Sequence, residues 1–425
     1  MDKSIGKRRL IVIGGGAAGF FCAVNAARMD PFLEVIILEK SSKILSKVRI
    51  SGGGRCNVTH ACFGIAEMLK HYPRGSAFLK KPFHQFFTTD TINWFSVRGV
   101  PLITEADGRM FPESNSSASI IDCLLKEAKK YNVEIRMNAS VEKIEVNDLS
   151  AKGSNTGTKK FVVYMGNKST LAADAVLVAS GGYPNAAQFA WLYSTGHAVE
   201  TPVPSLFTFN FPGNPITKLM GVSVGNALVK IAGTRLQQEG PLLITHWGLS
   251  GPAALKLSAW AARELAGKKY NADIVVNWVP GEHEQSLLEK FKQWRFQLAP
   301  QKLINRNPLG LPARLWEFFM QQSGIPETTR WADLPAKEQN IFIRQLCQSS
   351  FAMKGKTTFK EEFVTAGGIL LSSIDPNRME SKLLPGLFFA GEVMDVDGVT
   401  GGFNFQHAWT SGWVAANAIT TIAHD

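Results

Sequence analysis

"IVIGGGAAG" at residues 11–19 is the stretch on which the fold turns. The run RLIVIG (9–14) is short, apolar and rich in β-branched residues, and it stops at glycine. That pattern is a buried strand. AAGFFCAVNAARMD (17–30) follows as a helix with small residues along one face, and LEVIILEK (33–40) as a second buried strand. Together they make one βαβ unit. Gly14, Gly16 and Gly19 match G-x-G-x-x-G. Gly14 permits the tight turn after the strand, Gly16 lets a pyrophosphate approach the backbone, and Gly19 lets the helix pack closely. Ala17 and Ala18 open that helix, where free N–H groups and the helix dipole favour negative charge. Glu39 ends the second strand, where a carboxylate binds ribose hydroxyls, and Lys40 follows it.

The rest of the chain is long enough for two or three domains, at 425 residues. A hydrophobic content of 45% with 19% charged residues reads as soluble and globular. The five cysteines (22, 56, 62, 123, 347) form no C-x-x-C pair. Neither a disulfide framework nor a metal site is expected, and a reducing, cytoplasmic compartment fits. KRRLIVIGGGAAGFFCAVNAA (7–27) has the basic start and apolar run of a signal peptide, but the glycine motif and Glu39 account for it more fully. No segment is apolar for long enough to span a bilayer. The formal charge of +11 comes from Lys and Arg spread along the chain. A solvated basic surface is the expectation, with a small-molecule substrate and no specific nucleic-acid partner.

Ile120, Ile121, Leu124, Leu125 and Ala128 recur at helical spacing after Ser116 or Ser117, either of which can cap that helix. VEIRMNASVEKIEV (133–146), KKFVVYMG (159–166) and AADAVLVASGG (172–182) read as strands, and the first two are joined by a polar turn, NDLSAKGSNTGT (147–158). From about residue 200 the texture is β-like, with helices at 282–298, 311–323 and 335–350. The C-terminal part returns to the first style, with GLFFAGE (386–392), a glycine-rich loop and a small-residue helix. The reading is an α/β fold with a split, Rossmann-like nucleotide-binding domain at 1–200 plus 356–425. A β-rich, barrel-like domain at 201–280 and a helical domain at 281–355 are inserted into it.

A second glycine cluster, RISGGGRCNVTH (49–60), lies one strand beyond the first. Backbone at Ser51, Gly52, Gly53 and Gly54 is suited to lie against a cofactor, and Arg49 or Arg55 to offset phosphate charge. Cys56 reads as a packed thiol beside Asn57. Ser250 can cap a helix with Pro252 in its first turn; His246 and Trp247 in THWGLSGPA (245–253) are candidates for a substrate pocket, and His246 is the one catalytic candidate.

Five ordered stretches carry a resemblance: SGGGRCN (51–57), DGRMFPES (107–114), ASGGYP (179–184), THWGLSGPA and FAGEVMDVDGVTGGFNFQHAWTSG (389–412). The set resembles a bacterial family of NAD(P)/FAD-dependent oxidoreductases, a few of them assigned as aminoacetone oxidase or as reductases of unsaturated 3-oxo bile acids. The likeness spans nearly the whole chain; ASGG stands where ATGG is usual. It implies non-covalent FAD, with NAD(P)H as a transient reductant, and an architecture of the two-dinucleotide-binding-domain type. It further implies FAD contacts at Val141, Ala179, Ser180, Gly181, Gly182, Gly391, Glu392, Asp397, Gly402, Phe403 and Asn404. The substrate implied is an amine, amino ketone or unsaturated ketone. Two rival readings stay open. One is an FAD-dependent tRNA-modifying flavoprotein. The other is a flavin disulfide reductase using Cys56, although five residues separate Cys56 from Cys62 where such enzymes have four.

Overall fold

The computed structural model describes residues 7–147, 160–357 and 364–421. The chain divides into two compact units, Met1–Pro204 with Lys360–Asp425, and Ser205–Phe359.

The first unit is built on parallel strands β1 (Arg9–Ile13), β2 (Glu34–Leu38), β3 (Glu134–Arg136), β4 (Ala175–Val178) and β5 (Leu387–Phe389). Their order in the sheet is β3-β2-β1-β4-β5, every neighbouring pair parallel. Strands covered on both faces read as continuous apolar runs, and Leu10–Ile13 and Val35–Leu38 are buried accordingly. The last strand comes from the far end of the sequence, so the sheet brings residues distant in the chain side by side.

Two stretches read as single strands are divided. VEIRMNASVEKIEV gives β3 and, after Asn138 in the left-handed region, the strand Val141–Val146 of a separate three-stranded sheet. AADAVLVASGG gives Thr170–Ala173 in that sheet and β4 in the parallel one. The switch is at Asp174, whose carboxylate accepts the Arg9 N–H at 2.6 Å and so pins the start of β1. Apolar pattern marks both halves as buried and carries no sign of the change of sheet. The expected polar turn lies mostly outside the described residues.

Helix α1 (Ala17–Met29) packs against the C-terminal helix α3 (Phe403–Thr420), while α2 (Ser117–Lys130) is capped by Ser116 Oγ accepting from Ala118 N–H. Small residues set the α1–α3 approach: a Cβ on Gly412 would stand 2.7 Å from the Ala18 carbonyl oxygen. Phe21 fills the adjoining space, 5.3 Å from Trp409 and 4.6 Å from Trp94 between ring centroids.

The second unit carries an antiparallel sheet. One run, Ser349–Lys354 then Lys356–Thr357, is kinked at Gly355. Its first part pairs with Asn271–Asn277 and its second with Thr208–Asn210, the two ends of the strand order, so the sheet closes on itself as a barrel. Helices Glu284–Gln297, Ala313–Gln322 and Ala336–Gln348 stand close to the expected positions. Their Phe291, Trp316 and Phe342 share one hydrophobic core with Phe209, Val229 and Ile274 of the strands. Strands and helices that the sequence pattern assigns to separate domains are therefore one packed body.

Gly412→Val places branched carbon against the α1 backbone. Overpacking of this kind costs about 1–3 kcal/mol, and a thermal melt should show a lower midpoint. An unchanged melt would mean that α1 and α3 do not depend on this approach.

Candidate functional site

The loops that leave β1, β2, β4 and β5 all emerge at the carboxyl ends of adjacent parallel strands. Open α/β sheets bind ligands at that edge.

After β1, Gly14 takes φ 115°. A Cβ there would stand 2.3 Å from the Ala179 carbonyl oxygen, and one on Gly19 would stand 2.0 Å from that of Gly14. Both positions are closed to side chains by neighbouring backbone. Gly16, which precedes α1, differs: nothing lies within 4 Å of a Cβ placed on it. After β2, the Glu39 carboxylate accepts from Gly15 N–H at 2.9 Å and from the Ser41 N–H and hydroxyl at 2.9 and 2.8 Å. It ties the two turns together and keeps lone pairs to spare. Lys40 lies over the Tyr183 ring, 5.2 Å from its centroid. Val141 is half-buried, two residues beyond Ala139, whose N–H donates to the Glu39 carbonyl.

Residues Ser46–Gly54 are helical up to a break at Ser51, Gly52 and Gly53. Leu45 N–H donates to the Gly15 carbonyl, which holds this segment against the first glycine turn. Gly52, Gly53 and Gly54 take φ 59°, 71° and 85°, and Gly53 again faces open space. Arg49 is exposed. Arg55 points its guanidinium to Glu105 at 2.6 Å and over the Phe111 ring at 3.9 Å, and its Nε–H donates to the Gly52 carbonyl at 3.2 Å. It braces the glycine turn from behind. Cys56 sits at φ 64° and is fully buried; burial pushes its thiol up to about 12. A thiol so placed is held protonated, the opposite of what an attacking thiolate requires. The Asn57 amide, turned to satisfy both its ends, donates to the Thr59 carbonyl and accepts from Gly402 N–H at 3.0 Å.

After β4, Ala179 and Ser180 lead to Gly181 at φ 76° with open space beside it. A Cβ on Gly182 would stand 2.6 Å from Thr365 Oγ1 and 2.8 Å from Glu392 Oε1. After β5, Glu392 follows Gly391 at φ 72°, accepts from Thr365 N–H at 2.9 Å and meets Lys47 Nζ at 2.5 Å. Thr365 Oγ1 is buried with no hydrogen-bond partner among the described residues. Asp397 is fully buried and paired with Arg74 through both carboxylate oxygens. Gly402 at φ 93° opens α3 at Phe403, and the Asn404 amide closes a clamp on Gly398, with two bonds of 2.8 Å.

A dinucleotide fits these residues. Backbone at Gly16, Gly53 and Gly181 faces open space, an acidic group stands at the end of β2, and the helix N-termini of α1 and α3 open at the same sheet edge. His246 is exposed on the second unit, its ring 4.5 Å from that of Trp247; Gly251 rather than Ser250 precedes the helix Pro252–Trp260.

A model of the HI0933-like protein Rossmann domain matches residues 8–418. The chain belongs to this HI0933-like family. Its relatives match it along almost their whole length. The 3-dehydro-bile acid delta(4,6)-reductase of Clostridium scindens is 28% identical over 421 residues, 96% of this chain and 98% of its own. A ribosomal RNA dihydrouridine synthase of Escherichia coli is 31% identical over 412 residues, 96% of each chain. Among solved structures, the open conformation of a flavocytochrome c3 fumarate reductase has the same fold, with TM-score 0.51 and 16% identity over 98% of this chain and 79% of that one.

Several residues of the HI0933-like site have no local signal in the sequence. Lys47 and Arg74 reach Glu392 and Asp397 across 345 and 323 positions. Thr365 is likewise placed only by the fold.

His407, in the first turns of α3, is buried, and its Nε2 lies 3.3 Å from the Gly391 carbonyl while Nδ1 has no partner among the described residues. Burial pushes its pKa down to about 4 from the ordinary 6.5. The unfolded chain takes up this proton near the ordinary value and the folded chain does not, so its contribution to stability is present above that value and is lost as pH falls towards 4. Between pH 7.5 and 5 the loss is about 2 kcal/mol. Urea unfolding at the two pH values should show that extra loss in the parent and not in His407→Gln; equal losses would contradict the burial argument.

Proposed function

We propose that the chain is an FAD-dependent oxidoreductase that adds two hydrogens across a carbon–carbon double bond conjugated with a carbonyl. The observation that carries this reading is the set of open glycine backbones and paired acids at the carboxyl ends of β1, β2, β4 and β5. When bound, FAD supplies the hydride. The turn at Gly14–Gly16 and the N-terminus of α1 receive the pyrophosphate. Glu39 takes the ribose hydroxyls, while Thr365 Oγ1 and Glu392 face the ribityl side. Free N–H groups at the start of α3 favour negative charge on the pyrimidine edge. Val141, Lys40 and the backbone of Ser51–Asn57 and Ala179–Gly182 complete the cradle, and NAD(P)H serves as the reductant.

The substrate class follows from chemistry shared by two relatives. A 3-dehydro-bile acid with Δ4,6 unsaturation and a uracil ring both hold a double bond next to a carbonyl. In each, hydride adds to the double-bond carbon farther from the carbonyl and a proton balances the charge on the conjugated system. The family resemblance and the dispersed charge led to the expectation of a small organic substrate. The relative at 31% identity acts, by its name, on ribosomal RNA. Together with the net charge of +11, that makes uridine in RNA the favoured substrate and a small unsaturated ketone the second reading.

Purified protein incubated with NADPH and unmodified ribosomal RNA should raise the mass of uridine by about 2 Da in nucleoside digests, the two hydrogens that reduction adds. Gly16→Val, which places a side chain where the pyrophosphate approaches, should abolish the product and lower the flavin content. Reduction of a 4-en-3-one steroid with no change in RNA would select the second reading. Inertness towards both, with flavin bound and reduced, would overturn double-bond reduction.

A further inference from the structure

The second unit carries an exposed aromatic turn whose position is fixed by its backbone. The turn joins strands Gln237–Ile244 and Gly248–Ser250. At its tip Trp247 is 46% exposed, with the exposed His246 ring beside it. Thr245 holds the turn: its N–H donates to the Gly248 carbonyl at 2.8 Å, and its Oγ1 accepts from the N–H groups of Trp247 and Gly248, both at 3.2 Å. The Trp247 carbonyl accepts from Phe211 N–H at 2.8 Å. Gly248 takes φ 150°, and a Cβ there would stand 2.1 Å from the Phe209 carbonyl oxygen. The indole is thus presented on a preorganised base, which removes much of the ordering cost that a contact would otherwise carry.

The ground beside it is apolar and basic. Ile244 carbonyl accepts from Gly221 N–H, which brings the 56%-exposed Met220 next to the turn. Lys218, two residues earlier, is exposed, and the Arg314 guanidinium is held here by a 3.1 Å bond to the Lys218 carbonyl. No Asp or Glu occurs in 208–222 or 241–256, the stretches that supply the turn, Met220 and Lys218, while the helix that carries Arg314 holds Glu317 one turn further on. A planar aromatic tip flanked by cations, on strands and turns without carboxylates, matches single-stranded nucleic acid, in which every base offers a π-face and every linkage a phosphate.

We infer that the 245–247 turn, with Met220, Lys218 and Arg314, is an RNA-docking surface: Trp247 and His246 stack on an unpaired base, and Lys218 and Arg314 meet the flanking phosphates. The inference rests on the RNA reading of the function and adds the surface that holds the strand. Stacking and charge contribute in separable ways. Loss of one stacked base weakens binding by about tenfold at any salt concentration. Loss of one phosphate contact to a single strand lowers the slope of log affinity against log salt by about 0.7.

The test is fluorescence anisotropy of a labelled, uridine-rich single-stranded RNA with the flavin-loaded full chain across a salt series. Trp247→Ala should bind about tenfold more weakly with the parent's salt slope, and Trp247→Phe should recover most of the loss. Lys218→Gln with Arg314→Gln should lower the slope by about 1.4. Flavin content and thermal midpoint equal to the parent's in each variant show that the fold is intact. RNA binding by the parent that Trp247→Ala leaves unchanged would overturn this surface while the RNA reading stands. Absence of RNA binding by the parent would overturn both.

Discussion

Backbone meets backbone without intervening side chains at three places around α1. Gly14 lies against the carbonyl of Ala179, Gly19 against that of Gly14, and Gly412 of α3 against that of Ala18. Each contact is too close for a Cβ, so each position admits glycine alone without a shift of the frame. They lock the first strand, the first helix, the loop after β4 and the last helix into one body. Residues from both ends of the chain thereby become neighbours, and the remaining loops of the site hang from this frame.

Charge is then handled by pairing across large sequence separations. Asp397 is fully buried and is neutralised by Arg74; Glu392 is shielded by Lys47. A buried carboxylate without its cation would cost several kcal/mol. The paired acids can stand at the sheet edge while the helix N-termini of α1 and α3 stay open to anionic groups. Arg55, Glu105 and Phe111 support the second glycine cluster from its far side, so the open face of Gly53 is left to a ligand.

Much of this was legible in the sequence because it is local. The strand–glycine–helix run, Glu39 at the end of β2 and the glycines of 51–57 and 179–182 announce themselves by type and spacing. The three inserted helices follow from their period. What stayed hidden is what the fold brings together from afar. Lys47, Arg74 and Thr365 are ordinary residues until the chain closes. Asp174 divides one apolar run between two sheets, and no hydrophobic pattern records such a switch. The kink at Gly355 that closes the barrel reads as a simple turn residue, and the common core of the inserted strands and helices has no linear signature. Arg55 shows a further kind of hidden contact: beside its expected phosphate role, the fold gives it Glu105, the Gly52 carbonyl and the Phe111 ring as partners.

The proposed function stands or falls with a dinucleotide flavin held by this glycine frame. The most direct measurement is the identity and amount of chromophore released when purified protein is denatured, by mass spectrometry and absorbance against protein concentration. The expected result is FAD, intact and non-covalent, at one per chain. Release of FMN, or a protein that takes up no flavin when FAD is supplied, would contradict it.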